Sequence, residues 1–124
     1  TGGKGDGWWI KPTILTEVSN DMRVCREEIF GPIVSVQTFE TEEEAIRLAN
    51  DTTYGLNAML FTENVRRAHR VASQLRAGTV WVNCFFIRDL RAPFGGFGDS
   101  GIGREGGKYS KEFFTEPKAV VMKL

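Results

Sequence analysis

The sequence predicts an α/β fold built on a parallel strand-helix-strand-helix-strand core between residues 33 and 83. Three β-favouring runs, at 33–39, 56–61 and 78–83, alternate there with two stretches of helical periodicity, and that alternation is the pattern of a parallel sheet with right-handed crossovers. At 124 residues there is chain for one domain and a single modest core. With 26% charged and 41% apolar residues, the composition is that of a globular protein.

Residues 1–7 hold four glycines and two charges and start without methionine, which reads as a cut edge. The run 8–15 is apolar and β-favouring, and Pro12, which has no N–H to give a ladder, restricts it to an edge strand or an extended connection. Residues 20–32 carry mixed charge into Gly31-Pro32, a break that ends any helix. After the strand at 33–39, Thr41-Glu-Glu-Glu44 forms a capping box, the hydroxyl and Glu44 satisfying each other's free amides. A helix is expected from about Glu42 to Asn50, with Ala45, Leu48 and Ala49 on one face and a Glu43–Arg47 pair outside.

Residues 51–55 turn the chain into the strand at 56–61. Thr62 is placed to cap a second helix whose Val65, Ala68, Val71, Ala72 and Leu75 fall at helical spacing, with Arg76 in its last turn and Gly78 just past its end. His69 lies off that stripe and is expected on the surface. Residues 108–115 suit a short helix. Residues 118–124 suit a last strand, which needs a partner because an exposed apolar edge invites aggregation; another subunit is one answer.

Sixteen basic and sixteen acidic residues cancel, leaving neither the basic stripe of a nucleic-acid partner nor an acidic tail. Cys25, Cys84 and His69 lack the spacing of a metal site, and two cysteines fall short of a disulfide framework, so a reduced, cytoplasmic setting is expected. Neither a signal peptide nor an apolar run long enough to cross a bilayer is read in these residues, so no membrane partner is expected; the Asn50-Asp51-Thr52 sequon is then expected to be a chance match.

The rest of the chain is organised around residues 78–107. A strand ending near Asn83 feeds a loop bearing Phe85, Phe86, Ile87 and Leu90 before Pro93, and seven of the thirteen residues from Gly95 to Gly107 are glycine. Glycine at that density disfavours helix and strand, so the segment needs help to be ordered. A flexible linker is one reading, but linkers are rich in serine and poor in phenylalanine; the other is a loop packed into a cleft, where binding residues concentrate.

Three chemistries fit the pieces unequally. Two G-x-G-x-x-G matches, at 96–101 and 101–106, suggest dinucleotide binding, yet the first starts thirteen positions after Asn83, and the run 118–124 that follows carries no acidic residue of the kind that motif needs. Cys84 beside Arg88 suggests a thiolate nucleophile, though a buried structural thiol explains it better. The run Glu-Glu-Ile-Phe-Gly-Pro at 27–32 sets two carboxylates beside an aromatic ring, suiting sugar hydroxyls and a stacked heterocycle, or merely a solvated helix end.

That run, the Thr-Tyr-Gly at 53–55, Ala-Gly-Thr-Val-Trp-Val-Asn at 77–83, Pro-Phe-Gly-Gly at 93–96 and Ser-Gly-Ile-Gly-Arg-Glu at 100–105 resemble, in order and spacing, the C-terminal part of NAD(P)-dependent aldehyde dehydrogenases. The resemblance covers residues 7–124. It implies the C-terminal part of a three-layer α/β catalytic domain over residues 1–114 and an oligomerisation strand in the tail 115–124. It also implies that Glu28 binds the nicotinamide ribose hydroxyls and Phe30 the nicotinamide ring, with NAD favoured over NADP, and that Phe94 lines the aldehyde pocket. The loop before Phe94, with Ile87 and Arg88, would shape substrate choice.

The family's nucleophilic cysteine, general-base glutamate and cofactor domain lie upstream of anything resembling Thr1, and neither Cys25 nor Cys84 occupies the nucleophile's motif. The chain is therefore expected to be an inactive fragment of an enzyme in which a thiolate attacks the aldehyde, hydride passes to the cofactor and water releases the acid. Residues 87–94 are similar to the loop of the branch oxidising 2-hydroxymuconic and 2-aminomuconic semialdehydes. An arginine in an apolar pocket is costly unless it meets an anion, so Arg88 is expected to bind the carboxylate of such substrates. The competing expectation pairs Arg88 with Asp89 or another surface acid. Other readings are a betaine-aldehyde type fragment, which would handle a cation, and a stand-alone binding or oligomerisation module.

Overall fold

The computed structural model describes residues 7–124; the start of the glycine-rich opening, residues 1–6, lies outside the described residues. The chain divides into two units, residues 1–52 and 53–124.

In the first unit, strand β1 (Thr13–Leu15) pairs in parallel with β2 (Ile33–Ser35), Thr13 opposite Ile33 and Leu15 opposite Ser35. The ladder starts at residue 13, just past Pro12: the Thr13 N–H donates to the Pro32 carbonyl at 2.9 Å. It closes with Val36 N–H on the Leu15 carbonyl at 2.8 Å, so β2 is shorter than the run 33–39 suggested. The crossover holds a single helical turn, α1 (Arg23–Arg26), which ends where Glu27 turns extended, with φ −108° and ψ 142°.

Helix α2 (Glu42–Asn50) starts where the sequence predicts, with the Glu44 N–H donating to Thr41 Oγ1 at 3.1 Å. The reciprocal bond goes one residue earlier than the capping box implies: the Glu44 carboxylate accepts from the N–H of Glu40 at 2.9 Å. Glu42, Glu43 and Glu44 place negative charge on the helix N-terminus, where the backbone dipole favours it. Two expectations for its faces need correction. Ala45, Ile46 and Leu48 are half-buried while Ala49 is exposed, and Arg47 reaches Glu44 at 3.8 Å rather than Glu43, the i,i+3 neighbour being as near on the helix surface.

A polar knot ties α1 to the end of α2. Asn20 Nδ2 donates to the Leu48 carbonyl at 3.1 Å and to Asp51 Oδ2 at 3.0 Å, and Arg26 donates to the Asp51 carboxylate at 3.0 and 3.1 Å. The Asn20 amide and then the Arg26 guanidinium hold the Asp51 carboxyl below its ordinary value. A carboxyl depressed in the folded state contributes stability that is complete above its unfolded value and is lost as pH falls through the folded one. Acid titration should therefore erode this knot below about pH 4, and Asp51→Asn should flatten that part of the acid-unfolding curve; an identical curve for the variant would remove Asp51 from the account.

In the second unit, β3 (Asn57–Leu60) pairs in parallel with β4 (Thr79–Val82), Met59 opposite Trp81, across α3 (Val65–Gln74). Asn64 caps α3, its Oδ1 accepting from the Arg67 N–H at 3.0 Å; the expected cap, Thr62, instead accepts from the Asn64 N–H at 3.2 Å. Asparagine is the stronger of the two capping residues, which is why the helix starts there. Val71 is buried, Ala68, Ala72 and Leu75 are half-buried, and Val65 at the open end of the stripe is exposed, as is His69. Leu75 is already extended, with ψ 126°, so Arg76 lies beyond the helix rather than in its last turn.

The expected single sheet of three strands is replaced by two two-stranded parallel sheets, β1–β2 and β3–β4. Periodicity marks strands without choosing their partners, and here the edge candidate at 13–15 takes β2 as its partner. Each unit is thus a strand-helix-strand element, and the α/β character and parallel pairing stand. After β4 come a 3-10 turn (Gly98–Ser100) and α4 (Gly107–Phe114), one residue ahead of the helix expected at 108–115. Residues 115–124 are exposed and carry no β-pairing among the described residues, including 118–124, where a strand was expected.

Candidate functional site

The glycine-rich loop is ordered by the turn at 53–55. The Gly55 N–H donates to Ser100 Oγ at 3.0 Å, and the Gly55 carbonyl accepts from Phe97 N–H at 2.9 Å and from Gly78 N–H at 3.0 Å. Asp99 N–H donates to the Thr53 carbonyl at 3.0 Å. These bonds supply the ordering that glycine lacks, and they bring three of the sequence motifs to one place. Gly106 closes the far end at φ 101°, where a Cβ would sit 2.3 Å from the Ala92 carbonyl oxygen.

Within this frame Phe94 and Glu105 exchange both backbone hydrogen bonds, each 2.8 Å, as an antiparallel bridge. Arg104 Nη1 donates to the carbonyls of Gly96 at 2.9 Å and Gly103 at 2.7 Å, and its guanidinium lies 5.0 Å from the Phe97 ring centre. A concavity of about 240 Å³ is lined by Phe94, Leu56, Ile102, Phe113 and Phe114, with the Arg104 and Glu105 chain along its wall.

Arg88 is brought to this wall, its guanidinium 4.3 Å from the centre of the Phe94 ring. Its acidic partner is Glu105, at 3.9 Å with both side chains over a third exposed, a distance and setting at which an ion pair is weak. The alternative partner, Asp89, is taken by Arg91, which donates to its carboxylate at 2.9, 3.2 and 2.7 Å and holds that carboxyl below its usual range. Ile87 is 71% exposed, and its carbonyl accepts from the indole N–H of Trp81 at 2.8 Å.

Glu28 and Phe30 belong to the first unit, on the turn before β2. Of the two adjacent carboxylates, Glu27 is held by Arg23 through bonds of 2.7 and 2.8 Å, which lower its pKa; Glu28 makes no ion pair or hydrogen bond among the described residues. Phe30 is 91% exposed at φ 52°. A bulky residue adopts that left-handed backbone only under constraint, and such positions cluster where ligands bind.

The sequence did not single out Asn83, Arg104 or the Trp81 indole. Asn83, at φ 54°, exchanges two 2.8 Å side-chain bonds with the Thr62 backbone and so pins the exit of β4 beside that of β3; asparagine tolerates αL, and an Asn ending an apolar strand was the available signal. Cys84 and Cys25 are free and half-buried, with Cys25 Sγ accepting from Gln37 Nε2 at 3.7 Å. Among the described residues no group of His, Cys, Asp and Glu could hold a metal ion, and no helix is long and apolar enough to cross a membrane.

The model of the aldehyde dehydrogenase family matches residues 1–120. Over 118 residues the chain is 58% identical to the 2-hydroxymuconic semialdehyde dehydrogenase of Pseudomonas putida, covering 95% of this chain and 24% of that protein. It is 53% identical over 121 residues to the 2-aminomuconic 6-semialdehyde dehydrogenase of a Pseudomonas species, covering 98% and 25%. A mutant of the P. syringae AldA indole-3-acetaldehyde dehydrogenase in complex with NAD+ and IAA superposes with a TM-score of 0.85 at 51% identity, over 94% of this chain and 23% of that one. The chain thus spans about a quarter of the length of these relatives.

Proposed function

Because the chain belongs to the aldehyde dehydrogenase family, we propose that it forms part of an enzyme that oxidises a carboxylate-bearing semialdehyde to the acid. The two Pseudomonas relatives are named for semialdehydes of this kind. The observation that carries the reading is the Arg88 guanidinium over Phe94, 4.3 Å from the ring centre and met by the weak Glu105 contact. An incoming carboxylate meets the Arg88 fork in two parallel hydrogen bonds and displaces Glu105, while Phe94 and the apolar wall take the carbon skeleton.

Glu28 and Phe30 fit a nicotinamide dinucleotide on their own geometry. A carboxylate without a partner among the described residues can accept from ribose hydroxyls, and an exposed ring offers a face to a heterocycle. When bound, the cofactor supplies the hydride acceptor; the NAD+ in the P. syringae complex favours NAD over NADP. The exposed residues 115–124 are assigned to strand pairing with a second copy, in keeping with their apolar Val120, Val121, Met122 and Leu124. Two free cysteines suit a reducing cytoplasm.

Steady-state assay tests this. The enzyme containing this chain is expected to oxidise 2-hydroxymuconic semialdehyde with kcat/KM at least about tenfold above hexanal or betaine aldehyde, and Glu28→Ala is expected to raise KM for NAD+ about tenfold. The 124-residue chain alone is expected to give no turnover, since neither cysteine lies in a nucleophile's motif. Preference for the cationic aldehyde would overturn the substrate assignment.

A further inference from the structure

Trp81 is the buried aromatic of the second unit, 6% exposed and facing Met59 in the β3–β4 register. Its ring meets Phe85 edge-on at 5.9 Å and 73° and Phe86 at 5.9 Å and 36°, and its Nε1–H donates to the Ile87 carbonyl at 2.8 Å. Phe86 is held at φ 58°, a backbone that a bulky side chain accepts only when its surroundings impose it. The chain therefore doubles back over the strand it has just left, and the carbonyl that Trp81 grips belongs to the residue immediately before Arg88.

We propose that Trp81 is a positioning residue for substrate choice: acting through the Ile87 carbonyl, it holds Arg88 over Phe94 and so sets the discrimination between carboxylated and uncharged aldehydes. This rests on Arg88 being the partner of the substrate carboxylate. The physical argument is preorganisation. An arginine side chain on a loose loop samples many positions, and each must be given up when an anion binds; fixing the backbone one residue upstream removes part of that loss before substrate arrives. Tryptophan suits the task because a buried indole N–H needs an acceptor and the bicyclic ring carries that donor rigidly to the loop. Phenylalanine packs similarly but has no donor.

In the intact enzyme, Trp81→Phe is expected to raise KM for 2-hydroxymuconic semialdehyde about fivefold to tenfold, the effect of one lost hydrogen bond, with kcat and the KM for hexanal within about twofold of wild type. In an Arg88→Ala background the same change should add nothing further, because the residue through which Trp81 acts is gone. Hydrogen exchange of amides 84–90 should accelerate in Trp81→Phe. If the variant fails to fold, Phe86→Gly loosens the same loop while leaving the Trp81 indole in place and is expected to show the same selective rise. Equal KM increases for both aldehydes, full additivity with Arg88→Ala, or unchanged exchange would each overturn the proposal. A failure of Arg88→Ala alone to separate the two aldehydes is a different result: it removes the substrate reading, and the positioning role with it.

Discussion

Replacing Arg88 by alanine in the intact enzyme is expected to lower kcat/KM for 2-hydroxymuconic semialdehyde about 10- to 100-fold while leaving hexanal nearly unaffected, the range that charge-assisted hydrogen bonds contribute. The selectivity follows from where the guanidinium sits. It lies 4.3 Å from the Phe94 ring centre, and its acidic neighbour Glu105 stands 3.9 Å away in partial solvent, so the charge is available to a second anion. Arg88→Lys should recover only part of the loss, because an ammonium lacks the planar fork that takes a carboxylate bidentately. The fold should hardly notice, since an exposed ion pair and a partly exposed cation–π contact are together worth about 1 kcal/mol. Equal losses on both aldehydes would mean that Arg88 supports the loop instead of reading the substrate.

Gly78→Ala is expected to be the most damaging small substitution in the second unit, costing about 3 kcal/mol or more. A Cβ there would stand 1.6 Å from the Gly95 carbonyl oxygen and 2.8 Å from its carbon, and both are backbone atoms that no rotamer change can move aside. Relief requires parting the start of β4 from the loop that leads out of Phe94, which also pulls Gly78 N–H off the Gly55 carbonyl. Gly31→Ala is the control, since its nearest neighbour would be 3.8 Å away, and it should shift stability by under about 0.5 kcal/mol. Thermal unfolding of the two variants decides the matter; similar midpoints would mean that the close approach at Gly78 relaxes freely.

The elements that the sequence made legible are those governed by local rules. Helix α2 begins and ends where a capping threonine, three glutamates and a 3.6-residue apolar period require. The start of α3 went to Asn64 rather than Thr62 because two capping residues stood two positions apart and only their geometry separates them. Strand partnership was not legible: the runs at 33–39, 56–61 and 78–83 were visible as strands and 8–15 as an edge strand or an extended connection, but nothing local says that the last of these claims the first.

The candidate site divides along the same line. Glu28, Phe30, Arg88 and Phe94 were expected from motifs, and the geometry around Arg88 adds what motifs omit. Its acidic neighbour in sequence is held by Arg91, and the acid it does meet is seventeen positions away, brought close because the Glu105 backbone bridges Phe94. The grip of Trp81 on the Ile87 carbonyl was equally invisible, since a tryptophan in a strand reads as core until its N–H is seen to leave the sheet.

The carbonyl of Gly55 receives two amides, one from the first residue before β4 and one from the loop behind Phe94. A single oxygen is thus the common hinge-pin of the strand that carries the tryptophan and the loop that carries the phenylalanine. Drift at residues 53–55 therefore passes along main chain into the wall around Phe94, so a change that touches none of the concavity's lining can still reshape it.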